Sequence, residues 1–226
     1  MTKPLTLYYA PDNASLCVRL ALLELGVPFE TVLVDRAVQG QVAPEYLALN
    51  PNGVIPTLMT EDGPIYETGA ILMWLAERSP DGFMPEGLSR GSALKWIFWL
   101  SNTLHPATRM WFYPEKFIAA EAVPALRART CERLAGMFAH VEAHASWLNE
   151  PAPSALGCYF APMVRWAALY GSDQSWFDIY NYPKIMNYVQ TLERGLSAMQ
   201  ASHAEGLGET IFSKPSYPNP PEGSAL

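Results

Sequence analysis

The chain has 226 residues, half of them hydrophobic and 16% charged, with a formal net charge of −7 at pH 7. That is enough apolar material for a sizeable core, in one large domain or two small ones, while the acidic balance argues against nucleic acid as the main partner. No window reaches the roughly 18 uninterrupted apolar residues that suggest a membrane span.

Met1-Thr2-Lys3-Pro4 lacks the apolar core of a signal peptide and runs straight into a strand, so the chain is expected in the cytoplasm. Leu5–Tyr9 reads as a short apolar strand ended by Pro11-Asp12-Asn13, all turn formers. The helix that begins near Ser15 carries Leu16, Leu20 and Leu23 on one face and Val18, Leu22 and Leu25 on another, the pattern of a helix packed between layers. Its Cys17 is expected to be buried. With Cys131 and Cys158 it makes an odd set without Cys-x-x-Cys spacing, which suggests neither a disulfide framework nor a zinc ribbon. Gly26-Val27-Pro28 stops the helix, and Phe29–Val34 alternates like a half-buried strand. Residues 35–49 are irregular apart from a helical turn at Pro44–Leu49. Thr57–Thr60 and Pro64–Tyr66, joined by Glu61-Asp62-Gly63, form a hairpin. A helix over 67–78 then completes a βαβ-ββα unit, a mixed four-stranded sheet with helices on its faces.

The breaker-rich segment 80–88 is the natural linker between residues 1–79 and an all-helical region at 89–205. There Ser89 is placed to cap a long helix carrying Leu94, Ile97, Leu100 and Leu104, which Pro106 should bend or interrupt. Pro124 suits the first turn of the next helix, with its stripe of Leu134, Phe138, Val141, Ala145 and Leu148. Ser154 opens a third helix, bent at Pro162. The last stripe runs Ile185, Val189, Leu192, Leu196, Met199. Residues 206–226 lose periodicity and gain prolines, the signature of a tail that is extended on the surface or disordered.

Two stretches carry chemistry. In Asn50-Pro51-Asn52-Gly53-Val54-Ile55-Pro56, the first four residues supply a turn. Pro56 pushes Ile55 toward an extended backbone and makes a cis peptide accessible. A cis bond would turn the N–H and C=O of Ile55 outward, where they could pair strand-fashion with a small peptide. The second stretch, Glu67-Thr68, opens a helix, where an acidic residue either stabilises its own helix or serves a ligand.

Asn-Pro-x-Gly-x-Ile-Pro at 50–56 with Glu-Thr at 67–68 resembles the thioredoxin-like domain of the cytosolic glutathione S-transferase superfamily. Leu7-Tyr8-Tyr9-Ala10-Pro11 and Ser15-Leu16 look most like its bacterial beta class. The resemblance implies a thioredoxin-like N-terminal domain followed by a helical-bundle domain, glutathione as co-substrate, a small hydrophobic electrophile as its partner in reaction, and a homodimer. It makes Ser15 the residue beside the glutathione thiol, a role that a hydroxyl at a helix start fits and that is compatible with an ordinary N-cap. It gives Ile55, Pro56, Glu67 and Thr68 to glutathione: Thr68 to a carboxylate at a helix N-terminus and Glu67 to the neighbouring ammonium. From the helical half it adds His105, with Asn102 one turn before it.

The chain also departs from the family pattern. Ala14 stands where the beta class has cysteine, so a glutathione-dependent reductase or dehalogenase would lack its thiol. Ala37 and Pro106 replace lysines, and Gly157 replaces the acid of a Ser-x-x-Asp capping box, with an effect on stability expected. Arg36 is a possible substitute for the missing lysine at 37. These losses motivate an alternative, a glutathione-binding protein of the same fold with little or no turnover. His140 and His144 lie at i, i+4 without an evident third ligand, so no metal site is predicted.

Overall fold

The computed structural model describes residues 4–79, 82–150, 152–171 and 176–225. Its first part alternates strand and helix: β1 (Leu5–Tyr9), α1 (Ser15–Glu24), β2 (Phe29–Leu33), α2 (Pro44–Leu47), β3 (Thr57–Thr60), β4 (Gly63–Tyr66) and α3 (Thr68–Arg78). The sheet order is β2-β1-β3-β4. β1 runs parallel to β2, with Leu7 opposite Thr31, and antiparallel to β3, with Leu7 opposite Leu58. This is the thioredoxin-like arrangement expected from the sequence. The two-faced apolar pattern of α1 has the expected cause: Ser15 through Leu22 are all buried, because the helix is wedged among α3, α7 and α9 beside β1.

The rest is helical: α4 (Arg90–Trp99), α5 (His105–Phe112), α6 (Val123–His144), α7 (Ala155–Gly171), α8 (Pro183–Glu193) and α9 (Leu196–Glu205). The Ser89 hydroxyl caps α4 by accepting the Ser92 N–H at 3.3 Å. Pro106 interrupts the long rod as its chemistry requires. The helix widens to a π-helical turn over Leu100–Leu104 just before it, the kind of adjustment that lets a proline sit within a helix. Of the expected linker, residues 80 and 81 lie outside the described residues. No described helix is long and apolar enough to cross a membrane, and no group of metal-binding side chains forms among the described residues.

Two expectations need correction. The last stripe is not one helix: Gly195 separates α8 from α9, the phase of the pattern is lost, and Leu196 and Met199 end up 74% and 50% exposed. The segment from 206 onward is not a loose tail. Leu207, Ile211 and Phe212 are buried in the core, and the backbone there is held by side chains rather than by periodic pairing. The Glu193 carboxylate accepts the Phe212 and Ser213 N–H groups at 3.1 and 3.0 Å, and Arg165 donates to the carbonyls of Ile211 and Ser216 at 3.1 and 3.0 Å. At Gly157 the structure adds a steric reason for the glycine. The Ser154 hydroxyl still accepts the Gly157 N–H at 3.3 Å. A Cβ at 157, however, would lie 2.2 Å from the Tyr188 hydroxyl; the tyrosine occupies the space an aspartate would need.

Candidate functional site

A cleft of about 670 Å³ opens between the loops of the sheet unit and the wall formed by α5 and α7. Four short stretches build its floor. In the first, the Val54 carbonyl accepts hydrogen bonds from the Tyr46 hydroxyl at 2.7 Å and from Asn50 Nδ2 at 2.8 Å. Asn50 Oδ1 also accepts the Asn52 N–H at 3.1 Å. Gly53 takes a φ of +61°, a conformation cheap only for glycine, and closes the turn. This scaffold presents Ile55 and the buried Pro56 to the cleft through a cis peptide bond. Among the described residues, no hydrogen bond engages the Ile55 backbone.

The second stretch is Glu67-Thr68. Glu67 has φ 71° and ψ 113° and makes no side-chain cap to its own helix. A non-glycine residue held in so sparsely populated a region is the kind of local strain that gathers at ligand sites. Its carboxylate is thereby available to the cleft, with the buried Thr68 beside it at the start of α3.

The third stretch is the 10–14 loop, and here Ser15 is placed differently from the expectation. It is fully buried and absent from the cleft lining. Its hydroxyl donates to the Ala10 carbonyl at 3.0 Å and accepts the Ala10 N–H at 3.3 Å. It is not the N-cap either; Ala14 is, without a side-chain bond. The reason is geometric: the loop before α1 folds back on itself, and Ser15 is the hydroxyl that closes it. The residues that face the cleft are Asp12, Asn13 and Ala14. Asn13 Oδ1 accepts the Ala14 N–H at 2.9 Å, which leaves the amide NH₂ as the donor. Asp12, at φ 49°, is clamped from the helical side. Arg165 donates to it twice, at 2.8 and 2.9 Å, and Trp166 Nε1 once at 2.9 Å. Its own N–H goes to Glu205 at 2.8 Å.

The fourth stretch follows β2. Gln41 lines the cleft with a buried Oε1 that has no partner among the described residues. Arg36 reaches the Tyr113 hydroxyl and the Ala225 carbonyl, each at 2.8 Å.

The opposite wall carries His105, whose Nδ1 lies 3.1 Å from the Tyr159 hydroxyl, with the Trp166 ring 5.9 Å away. Withdrawal from water, with a contribution from the Arg109 charge, pushes this imidazole down to about 4, so it is neutral at physiological pH. Asn102, expected on the same side, is exposed and does not line the cleft; Ser101 does. The π-helical turn accounts for the change, since wider spacing brings i and i+4, not i and i+3, onto one side. Cys17 is buried as expected, its Sγ 3.7 Å from the Tyr159 carbonyl, and burial pushes its thiol well above the ordinary range.

The structure therefore brings Ile55, Pro56, Glu67, Thr68 and His105 to one cleft and leaves Ser15 and Asn102 out. Sequence reading missed the Asp12–Arg165–Trp166 clamp and the Tyr46 and Asn50 braces. A signal for the first was present: Arg165 is the single charge in the otherwise apolar Ala155–Gly171 run, and a buried arginine needs an acid.

Residues 7–83 match the family model for the glutathione S-transferase N-terminal domain. Glutathione S-transferase F9 of Arabidopsis thaliana is 32% identical over 146 residues, 61% of this chain and 68% of the relative. Glutathione S-transferase GST-4.5 of Xanthomonas campestris is 28% identical over 210 residues, 89% of this chain and 98% of the relative. Among solved structures, a glutathione transferase homologue from Sulfitobacter with bound glutathione aligns with a TM-score of 0.77 at 28% identity. That alignment covers 88% of this chain and 97% of the other.

Proposed function

This chain belongs to the glutathione S-transferase superfamily, and on that footing we propose that it binds glutathione in the cleft and transfers it to a small hydrophobic electrophile. The observation that carries this reading is the convergence of Glu67, Thr68, Ile55 and the start of α1 on one cavity. The Thr68 hydroxyl and N–H at the helix start receive the γ-glutamyl carboxylate, and the Glu67 carboxylate pairs with the ammonium. The Ile55 backbone bonds the cysteinyl unit as a strand neighbour would. Gln41 and Arg36 are disposed for the glycine end.

The thiol then lies against Asn13-Ala14. An α-helix N-terminus favours an anion by about 0.3–1 kcal/mol when exposed and up to ~2 kcal/mol when partly buried. At about 1.36 kcal/mol per pKa unit, the start of α1 alone shifts a thiol by roughly one unit. A further donor is required, and the Ser15 hydroxyl is already committed to Ala10. We assign that donation to the Asn13 amide and make Ser15 a positioning residue for the loop. The thiolate sulfur forms a bond to the electrophilic carbon while the leaving group departs with its electron pair, and the thiol proton goes to solvent. Detoxification of electrophiles in the cytoplasm is the matching biological role. For the homodimer, the half-exposed Phe98 on α4 is a candidate contact, and sedimentation at micromolar concentration reads the state directly.

The test is conjugation of glutathione to 1-chloro-2,4-dinitrobenzene. The expected result is conjugate formation well above the uncatalysed rate, with Asn13→Ala lowering kcat/KM about tenfold and more than Ser15→Ala does. A larger loss in Ser15→Ala would return the thiol to Ser15. Glutathione binding without any conjugate would leave the alternative, a binding protein of this fold.

A further inference from the structure

The cleft is cationic on a chain that is acidic. Its lining holds Arg36, Arg109 and Lys116 against two carboxylates, Asp12 and Glu67, although the whole chain carries −7. The carboxylates do not offset the cations. Asp12 is consumed by Arg165 and Trp166, and the reading above gives Glu67 to the glutathione ammonium. No carboxylate among the described residues pairs with Arg36, Arg109 or Lys116.

The placement of these charges is specific. Two of them approach the Tyr113 ring, with the Arg36 guanidinium carbon 5.8 Å and Lys116 Nζ 4.4 Å from its centroid. The two charges are therefore no more than about 10 Å apart, about one screening length at 0.1 M ionic strength. Arg109 stands one helical turn before Tyr113, and its carbonyl accepts the Tyr113 N–H at 3.0 Å. Aromatic rings complete the wall: Phe112 and Tyr170 at 5.4 Å, and Tyr170 and Tyr217 at 5.5 Å between centroids. Solvated cations on an outer face would explain exposure, but not their grouping on the rim of an aromatic cavity. An anion beside an aromatic body fits both features.

From this we infer that the second substrate is an aromatic electrophile bearing a carboxylate or comparable anion, held by Arg109 and Lys116 while its ring packs on Phe112 and Tyr170. This deepens the transferase reading and rests on it. It assigns the far wall to the second substrate, and Arg36 stays at the glutathione side.

The probe pair is 4-chloro-3-nitrobenzoate and 4-chloro-3-nitrobenzamide, of nearly equal shape and the same leaving group. In each, the glutathione sulfur bonds to the ring carbon, the carbon–chlorine bond breaks, chloride leaves with the electron pair and the thiol proton passes to solvent. Each kcat/KM is divided by the uncatalysed rate constant for that compound. The expected acid-to-amide ratio is tenfold or more. It falls about tenfold in Arg109→Gln/Lys116→Gln, falls with added salt, and is largely kept in Arg109→Lys/Lys116→Arg. Calorimetric binding of the two ready-made glutathione conjugates reads the same preference without turnover and also serves if the double variant folds poorly, because wild type alone must show it. A ratio near one in wild type, by rate or by conjugate binding, overturns the proposal, as does a ratio that survives Arg109→Gln/Lys116→Gln. Failure of glutathione itself to bind would instead strike the reading on which this one rests.

Discussion

Ser15 and Glu67 show how a residue's neighbours decide its role. Both stand where a helix begins, and the sequence offers both to a ligand. Ser15 loses its hydroxyl to the backbone of Ala10 five residues earlier, a local bond of the kind serine often makes and one that no periodicity reveals. Glu67 keeps its carboxylate because its backbone turns to positive φ and makes no cap. Glu67, Thr68, Ile55 and Pro56 were legible because they form a motif of fixed spacing; the fate of the Ser15 hydroxyl depends on loop curvature and was not. His105 allows a prediction at this scale. Its native pKa, down to about 4 from an ordinary 6.5, means the folded chain binds fewer protons than the unfolded one between those values. The stabilisation is therefore intact above about pH 6.5 and is lost as pH falls toward 4. Urea unfolding at pH 7.5 and pH 4.5 should show His105→Gln losing about 2 kcal/mol less than wild type over that drop. Equal losses in the two proteins would refute it.

At the scale of elements, helix existence and type were legible from apolar spacing, and the exceptions have local causes. Gly195 divides α8 from α9, and the π-helical turn before Pro106 moves Asn102 out and Ser101 in. Segment 206–225 packs through side-chain bonds to its backbone, which leave no period to read. Two buried ion pairs link elements: Arg165 on α7 to Asp12, and Arg19 on α1 to Glu205 at the end of α9. Removing one partner of such a pair leaves an uncompensated buried charge, which costs about 3–5 kcal/mol. Arg165→Met is therefore expected to lower unfolding free energy by that amount in denaturant titration, and adding Asp12→Asn should recover part of it. A loss below ~1 kcal/mol for Arg165→Met would show that the clamp is not what holds the 10–14 loop.

For the whole molecule, the fold places two kinds of wall around one cavity. The sheet unit supplies helix starts and an open backbone edge, and α5, the turn after it and α7 supply aromatic rings, a neutral imidazole, Arg109 and Lys116. The sheet half was readable because its turns and prolines are tied to particular backbone geometry. The grouping of cations at the rim was not readable, because Arg36 and Lys116 meet at Tyr113 only when the chain folds. The central claim is that this cavity holds glutathione through Glu67 and its neighbours. Calorimetric titration with glutathione up to millimolar concentration, on wild type and Glu67→Gln, tests it most directly. A bond to a charged group is worth about 1.5–3 kcal/mol, so the account predicts saturable one-to-one heat in wild type and affinity at least about tenfold weaker in the variant. Absence of heat in wild type, or equal affinity in both, would contradict it.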